Sequence, residues 1–422
     1  MPRATASPKS AALRYRAARR GDVEALIDLA ARAYRVSSVE KRREFYTSHP
    51  RFDMSDVRVG ELEGRIVASL VLYPLEAWVR GEPLAIAGVG SVAVSPEHRR
   101  RGLGDQLMRS ALRELARHGP AFSMLYAFRQ SYYRRLGYGV IERVHPLSLA
   151  PANLPASDEA RRVRRLAPAD RPAVEALYDR VARRGHFALT RARAWWRERL
   201  WIYPGDWVVY EGKRGALEGY LHYEADASNG PFRLALTVDE LVAATPAAHT
   251  GLVGHLASLA DQVTEIDYAA PADAAWLEIP HTAQSLRGGA EIGFYNDAGG
   301  VAAGAMLRVH DVRAALAVLP VSRLAAGEVV IEVEDPVLPA NARAWRVRAR
   351  GGRLAAGPAG SARGKRTPRL GVSAAMLGPL LAGTLDPVRA AETGLIESDG
   401  GAEAVELWFR TRPAFVHQLN GF

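Results

Sequence analysis

At 422 residues the chain has room for two or three domains, and its 48% hydrophobic and 8% aromatic content is that of an ordinary globular protein. The absence of cysteine excludes disulfides, thiolate metal sites and a cysteine nucleophile, and fits a cytoplasmic location. A net charge of +10 raises nucleic acid as a partner, but arginine is spread over most of the chain among 46 carboxylates, so no nucleic-acid partner is expected.

Residues 1–12 read as a loose basic tail without the apolar run of a secretory signal. No stretch approaches the roughly 18 apolar residues of a membrane span, so no membrane partner is expected either. Residues 14–34 follow as a short strand, a turn ending at Asp22, and a helix with Leu26, Leu29, Ala30 and Ala33 on one face. Two β-rich runs, Val57 to Leu62 and Ile66 to Leu72, flank Glu63-Gly64 as a hairpin. A strand from Gly88 to Val94 leads into SPEHRRRGLGDQLMRS, residues 95–110. Leu103, Leu107, Met108, Ala111, Leu112 and Leu115 then recur at helical spacing until Gly119-Pro120 stops the helix. A strand from Ala121 to Tyr126 precedes a short helix from Ser131 to Leu136, broken by Gly137.

The same order recurs in faded form. Arg165 to Ala182 echoes Arg16 to Ala30 through a shared Val-Glu-Ala-Leu, and Val208 to Tyr223 echoes the hairpin, with Glu218-Gly219 at its centre. Leu236 to Val242 followed by PAAHTG mirrors the strand-to-helix segment, stripped of every arginine. From about Gly304 (GAMLRVHDVRAALAVL) the pattern becomes helix, then strands around Val329 to Val333 and Trp345 to Val347, a Gly/Ala/Arg stretch over 350–366, and closing helices. The last residues, TRPAFVHQLNGF, carry Phe415, Val416, Leu419 and Phe422, apolar anchors that a disordered tail lacks.

The arginine-rich segment has a physical reading of its own. Val92-Ala93-Val94 runs into Arg99-Arg100-Arg101-Gly102-Leu103-Gly104 and then a helix, whose first N–H groups lack intrahelical partners and point beyond the strand end. The glycines let a pyrophosphate approach the backbone, and the arginines offer charge-assisted hydrogen bonds. A P-loop is excluded because G-x-x-x-x-G-K-[ST] is absent, and a dinucleotide fingerprint lacks its third glycine. No H-E-x-x-H or G-x-S-x-G occurs, so neither a metal site nor a serine hydrolase is expected. His98 reads as a rim residue or a solvated one.

These residues resemble the GCN5-related N-acetyltransferase (GNAT) superfamily. Arg99 to Gly104 fits its [Arg/Gln]-x-x-Gly-x-[Gly/Ala] signature, and Tyr133-Arg134-Arg135-Leu136-Gly137-Tyr138 fits its second, Tyr-x-x-apolar-Gly-[Phe/Tyr]. The length, the faded repeat, Met306-Leu307-Arg308-Val309 and the terminal Phe422 are similar to the enhanced intracellular survival (Eis) branch. That resemblance implies a mixed α/β (α+β) protein with a catalytic GNAT domain over 13–155 and a degenerate second copy over 156–300. A sterol-carrier-protein-like domain over 301–422 and a homohexameric assembly complete the expectation. It also implies acetyl-coenzyme A as cosubstrate, no metal, and a small-molecule amine or lysine as acceptor, by direct transfer in a ternary complex.

By the same resemblance, strand backbone at Val92, Ala93 and Val94 holds the pantetheine arm. The N–H groups of Arg100, Arg101, Gly102, Leu103 and Gly104 bind pyrophosphate, with Arg99 or Arg100 adding charge, while Arg101 reads equally as a solvated residue. Tyr133 is the expected general acid, with Tyr132 facing elsewhere, and the α-carboxylate of Phe422 the expected base, directly or through a water. The tail Leu419-Asn420-Gly421-Phe422 offers no further acid, so the residues do not point to a polycationic acceptor. Tyr34 and Trp78 read equally as pocket wall or core, and the acceptor stays unassigned. A non-catalytic acyl-coenzyme A sensor is the alternative.

Overall fold

The computed structural model describes residues 13–35, 38–230, 233–282, 284–287, 297–360 and 367–422; the expected tail over 1–12 and positions 361–366 of the Gly/Ala/Arg stretch lie outside the described residues. The first region contains β1 (Arg14–Ala17), α1 (Val23–Tyr34), α2 (Val39–Thr47), β2 (Val57–Leu62), β3 (Arg65–Val79), β4 (Glu82–Val94), α3 (Leu103–His118), β5 (Phe122–Tyr126), α4 (Gln130–Arg134) and β6 (Gly139–Val140). Helix α1 buries Leu26, Ile27, Leu29 and Ala30, and α3 buries all six of its expected apolar residues, so both lie against the sheet by one stripe. Strand β3 runs well past the expected Leu72 and β4 starts well before the expected Gly88, and the middle of each is buried on both faces.

The second region comprises β7 (Arg143–Leu149), β8 (Val163–Arg165), α5 (Arg171–Ala182), β9 (Ala188–Leu189), α6 (Arg193–Glu198), β10 (Asp206–Glu211), β11 (Leu217–Asp226), β12 (Leu234–Ala243), α7 (Pro246–Ala257), β13 (Val263–Pro271), β14 (Ala302–Ala303) and β15 (Ala305–Val309). The faded repeat is thus a second sheet with the same helix placement. Its hairpin turns at Gly212 to Gly215, where Gly212 and Gly215 bond back across the turn, and not at Glu218-Gly219, which lie within β11. The third region holds α8 (Val312–Val318), β16 (Gly327–Glu334), β17 (Ala344–Arg350), β18 (Arg353–Pro358), β19 (Arg369–Ser373), α9 (Ala374–Leu381), α10 (Pro387–Glu392), β20 (Glu397–Asp399) and α11 (Gly401–Phe409). Its five strands run in the order β18-β17-β16-β19-β20.

The two larger sheets exchange strands. The first runs β1-β2-β3-β4-β5-β15-β6, with β9 on β3, and the second runs β14-β7-β13-β12-β11-β10-β8. Segment 143–149 therefore completes the second sheet and segment 305–309 completes the first, so neither closes without the other. The expected helix at Gly304 is corrected: Ala305–Val309 is a strand, and only Val312–Val318 is helical. All five residues of β15 are buried, so no alternation separates it from a buried helix turn by pattern alone. The expected division at residue 300 falls between β13 and the strands β14 and β15.

Two local features shape the site. Strands β4 and β5 pair in parallel only at Ala87–Ser123 and Gly88–Met124, then separate. Ser69 pairs with Ala93 and Val71 with Gly90, so Ser91 and Val92 together face Leu70 in a bulge, with Ser91 at φ 48°. The bulge bends the end of β4 away from β5 and leaves its main chain open on that side. Among the described residues, no helix is long and apolar enough to cross a membrane.

Buried polar groups tie the regions together. Arg308 on β15 places Nη2 2.8 and 2.6 Å from the two oxygens of Asp335, and both side chains are fully buried. Replacing Arg308 with Met leaves a buried carboxylate without its cation and should lower stability by about 3–5 kcal/mol, read from denaturant melts; an unchanged midpoint would contradict that cost. His186 and His310 are buried and His417 is nearly so, and all three are kept neutral, with pKa values lowered by desolvation to about 4, 3 and 4 from 6.5. Below pH 6.5 the unfolded chain takes up protons that the folded chain refuses, so stability is full above that pH and declines toward pH 4. The thermal midpoint measured across this window should fall steadily; a flat profile would contradict the assignment.

Candidate active site

The turn after β4 is built to leave donors open. A 3₁₀ turn over Pro96–His98 is followed by Arg100 at φ 59° and Gly102 at φ 77°, and Gly102 caps α3 without any side-chain bond. The N–H groups of Arg100 to Gly104 donate to no backbone carbonyl among the described residues, whereas Gln106 N–H already reaches Gly102 O at 3.0 Å. Open donors at a helix start favour an anion. The turn therefore fits the pyrophosphate expected of the cosubstrate, in its main chain more than in its arginines. Arg99 turns back, Nη2 donating to Ala33 O at 3.0 Å and Nε lying 3.4 Å from Val94 O. Arg101 lies 2.8 Å from His98 Nδ1. Arg100 is exposed and has no acidic partner among the described residues.

Val92 in the bulge and Val94 beyond it are half-buried, in one apolar cluster with Tyr132 and Tyr133, while Ala93 is buried. Helix α4 carries Tyr133 and ends at Arg134, and the turn that follows closes at Gly137, whose φ of 88° reverses the chain. The Tyr133 ring is 3% exposed and stands edge-on to Phe128, Tyr132 and Tyr138 at 5.7, 4.9 and 6.0 Å. Burial, with Tyr132 and Tyr138 close by, raises its phenol well above the usual value, so it stays protonated at neutral pH. Tyr132 faces elsewhere, toward the anion turn: a Cβ added at Gly104 would lie 3.1 Å from its hydroxyl. A methyl group at Gly104 would need the Tyr132 hydroxyl to give by a few tenths of an ångström, so the position favours a small residue.

The chain terminus sits in the opening of β4. A Cβ at Gly88 would fall 2.9 Å from the Phe422 ring, and one at Gly90 would fall 3.2 Å from its carboxyl carbon. The ring of Phe422 is 5.7 Å from both Tyr73 and Tyr126. Glycines at 88 and 90 thus make the seat, which sequence reading missed although their spacing was visible.

What holds the terminus there is Asn420, completely buried. Its Oδ1 accepts from Arg191 Nε at 2.8 Å and Arg51 Nη2 at 3.1 Å, its Nδ2 donates to Tyr178 Oη at 2.7 Å, and its carbonyl accepts from Arg51 Nη1 at 2.7 Å. Arg191 is fixed in turn by two bonds to Glu240 at 3.0 and 2.7 Å, both side chains fully buried. Glu240 also accepts from Tyr220 Oη at 3.0 Å and lies 3.2 Å from His417 Nδ1. Arg51 lies flat on Trp195 at 3.4 Å, and burial beside Arg191 lowers its pKa to about 9. Trp195 Nε1 donates to Leu419 O at 3.2 Å. Further upstream, buried Glu142 accepts from Val416 N at 2.6 Å and Ala305 N at 2.9 Å, and burial raises its pKa.

Tyr34 ends α1, keeps 43% of its surface, and lies within electrostatic reach of Tyr73 and Tyr133. Trp78 instead pairs with Ala188 of β9, carries Arg183 over its ring at 5.2 Å, and belongs to the second region's core. Asn420→Ala removes three side-chain bonds, two with cationic donors, and should ease local release of the tail by at least 1.5–3 kcal/mol. Trimming of Phe422 by carboxypeptidase A should then speed up tenfold or more; an unchanged trimming rate would contradict the clamp.

Residues 14–141 match a model described as an acetyltransferase (GNAT) domain, residues 188–309 match a second of the same description, and residues 312–416 match a sterol carrier protein domain. The second match ends within the strand exchanged into the first sheet. An uncharacterized N-acetyltransferase of Streptomyces griseus is 28% identical over 251 residues, 54% of this chain and 60% of that protein. The N-acetyltransferase Eis of Mycobacterium tuberculosis is 32% identical over 217 residues, 46% of this chain and 51% of that one. The chain thus spans about 60% of the length of the first of these relatives and about half of the second. Among solved structures, a GCN5-related N-acetyltransferase from Anabaena variabilis superimposes with a TM-score of 0.81 at 18% identity, covering 97% of this chain and 100% of its own. With two GNAT domains and a sterol-carrier-like third, the chain belongs to the GNAT superfamily and is related to its Eis-like branch.

Proposed function

We propose that the protein is an N-acetyltransferase that takes the acetyl group of acetyl-coenzyme A and passes it to a primary amine of a small molecule or lysine within a ternary complex. The observation that carries this reading is the seat of the Phe422 carboxyl over Gly90, where β4 leaves β5, with Tyr133 in the cluster of Val92 and Val94. Bound there, acetyl-coenzyme A supplies an activated acetyl thioester. The open N–H groups of Arg100 to Gly104 and the Arg100 guanidinium hold pyrophosphate, and β4 main chain from Val92 to Val94 carries the pantetheine arm. The Phe422 carboxylate takes the proton that the amine must lose, directly or through a water. Tyr133, kept protonated by burial, holds the proton needed by the departing sulfur.

The surroundings of the terminus bear on the acceptor. Tyr73, Tyr126 and Phe422 form an aromatic wall, His49 stacks on Phe52 at 4.5 Å, and desolvation lowers His49 to a pKa of about 4. Beside the terminal carboxylate, the site carries the cation Arg51 and, hydrogen-bonded to Tyr126, the buried Glu142, whose pKa burial raises. An amine on an uncharged, largely apolar body suits this aromatic wall better than a polycation, which would meet Arg51. Homohexameric assembly in the cytoplasm belongs to the same reading, and sedimentation of the purified protein tests the assembly.

Tyr133→Phe should lower kcat by about 10²- to 10⁴-fold, the range of general acid catalysis, and leave the calorimetric Kd for coenzyme A within about threefold. Equal losses in turnover and binding would remove the acid role. Arg100→Ala should weaken coenzyme A about tenfold with little change in kcat. Coenzyme A binding with no acetylation of any amine in a panel would favour the sensor instead.

A further inference from the structure

The Phe422 ring meets two tyrosines whose surroundings differ. Tyr126 bonds the buried Glu142, a carboxyl that also takes Val416 N and Ala305 N. Tyr73, on β3, instead leads into a cluster of hydroxyls. Ser91, in the bulge of β4, lies within hydrogen-bonding reach of the Tyr73 hydroxyl, and Tyr46 of α2 and Tyr34 at the end of α1 lie within electrostatic reach of it. Arg42 of α2 joins these phenols. Its guanidinium carbon is 5.7 Å from the centre of the Tyr34 ring and 4.9 Å from that of Phe45, and it lies within hydrogen-bonding reach of the Tyr46 hydroxyl. Burial keeps all three phenols protonated, so each brings a donor.

This cluster is open to a ligand. Tyr34 keeps 43% of its surface, and Arg42 and Ser91 are half-buried, while Tyr46 and Tyr73 form a buried floor. Arg42 makes no ion pair among the described residues; Glu40 and Glu44 on the same helix are exposed and leave it free, whereas its neighbour Arg43 pairs with Glu24. The other charges that bear on Tyr34, Tyr73 and His49 are also cations, namely Arg51, Arg99 and Arg199. Arg51 is spent on Asn420, Arg99 on Ala33 O, and Arg199 lies exposed over Trp195 at 5.9 Å. Arg42 is therefore the guanidinium that stands among the phenols with its charge unmatched. One planar fork of donors suits one carboxylate.

We propose that the acceptor is an amino carboxylate, with its reactive amine at the Phe422 carboxyl and its carboxylate on Arg42, beside the hydroxyls of Tyr34 and Tyr46. The two ends of such a molecule meet charges of opposite sign to their own, and the body between them stays uncharged against the aromatic wall. This assignment rests on the acetyltransferase reading and names the substrate class for the same site.

The probes are 4-(aminomethyl)benzoate and 6-aminohexanoate, set against benzylamine and pentylamine, which differ from them only by the carboxylate. In acetylation by the full chain, each acid should have a kcat/KM at least tenfold above that of its neutral partner, the worth of one charge-assisted bond. Arg42→Met should raise KM for the acids about tenfold with kcat within about threefold, leave the neutral amines unchanged, and be partly rescued by Arg42→Lys. Neutral amines used as well as the acids, or equal losses for both in Arg42→Met, would overturn the assignment and leave the acetyltransferase reading standing. Should none of the four be acetylated, calorimetry on the coenzyme A complex decides: binding of the acids that weakens in Arg42→Met supports the assignment, and absence of binding overturns it.

Discussion

The buried pair Arg191–Glu240, and the Asn420 amide that it grips, fix where the chain ends. Two ions without solvent contact are expensive to bury and are held only when every bond is made. Here they are: Glu240 also takes Tyr220, and Asn420 also takes Arg51 and Tyr178. Because Gly421 and Phe422 follow directly, the position of the terminal carboxyl over Gly90 follows from this one anchor. Arg191, Tyr178, Tyr220 and Glu240 all lie in the second region. A domain whose own turn carries no phosphate-binding residues therefore serves the first domain by positioning its terminus.

The duplication gives the two openings different contents. In the first, a bulge at Ser91-Val92, a left-handed Gly102 and an uncapped helix leave main-chain donors free. In the second, where β12 and β13 part beyond Val238 and Tyr268, Thr245 and Pro246 close the helix start, and the tail runs across the gap. Exchange of β7 and β15 locks the two sheets into one unit, and Arg308–Asp335 ties the exchanged strand to the third region. Position of the terminus is thus a property of the whole chain, not of the first region alone.

How much of this was legible in the sequence depended on chain distance. The geometry of the glycine-rich turn after β4 and of the Tyr133 helix was readable because their residues are contiguous and their glycines mark left-handed or close-approach positions. Helices α1 and α3 were readable from one apolar stripe each. Strand β15 was not, since burial on both faces erases alternation in five residues. The part played by Arg99 was also hidden: its bond to Ala33 O depends on where α1 ends, which the local pattern does not encode. The clamp was the least legible, because Arg51, Tyr178, Arg191 and Glu240 come from distant segments and none sits in a recognisable spacing. The tail's apolar anchors signalled an ordered end without saying what it meets.

The central claim is that the free carboxylate at Phe422, positioned by this clamp, works as a base. Converting it to the primary amide by semisynthesis changes one atom's chemistry and leaves the side chains of the tail in place. The account predicts a fall in kcat of about a hundredfold or more, with unchanged coenzyme A affinity and unchanged thermal midpoint. Full turnover by the amidated protein would contradict it.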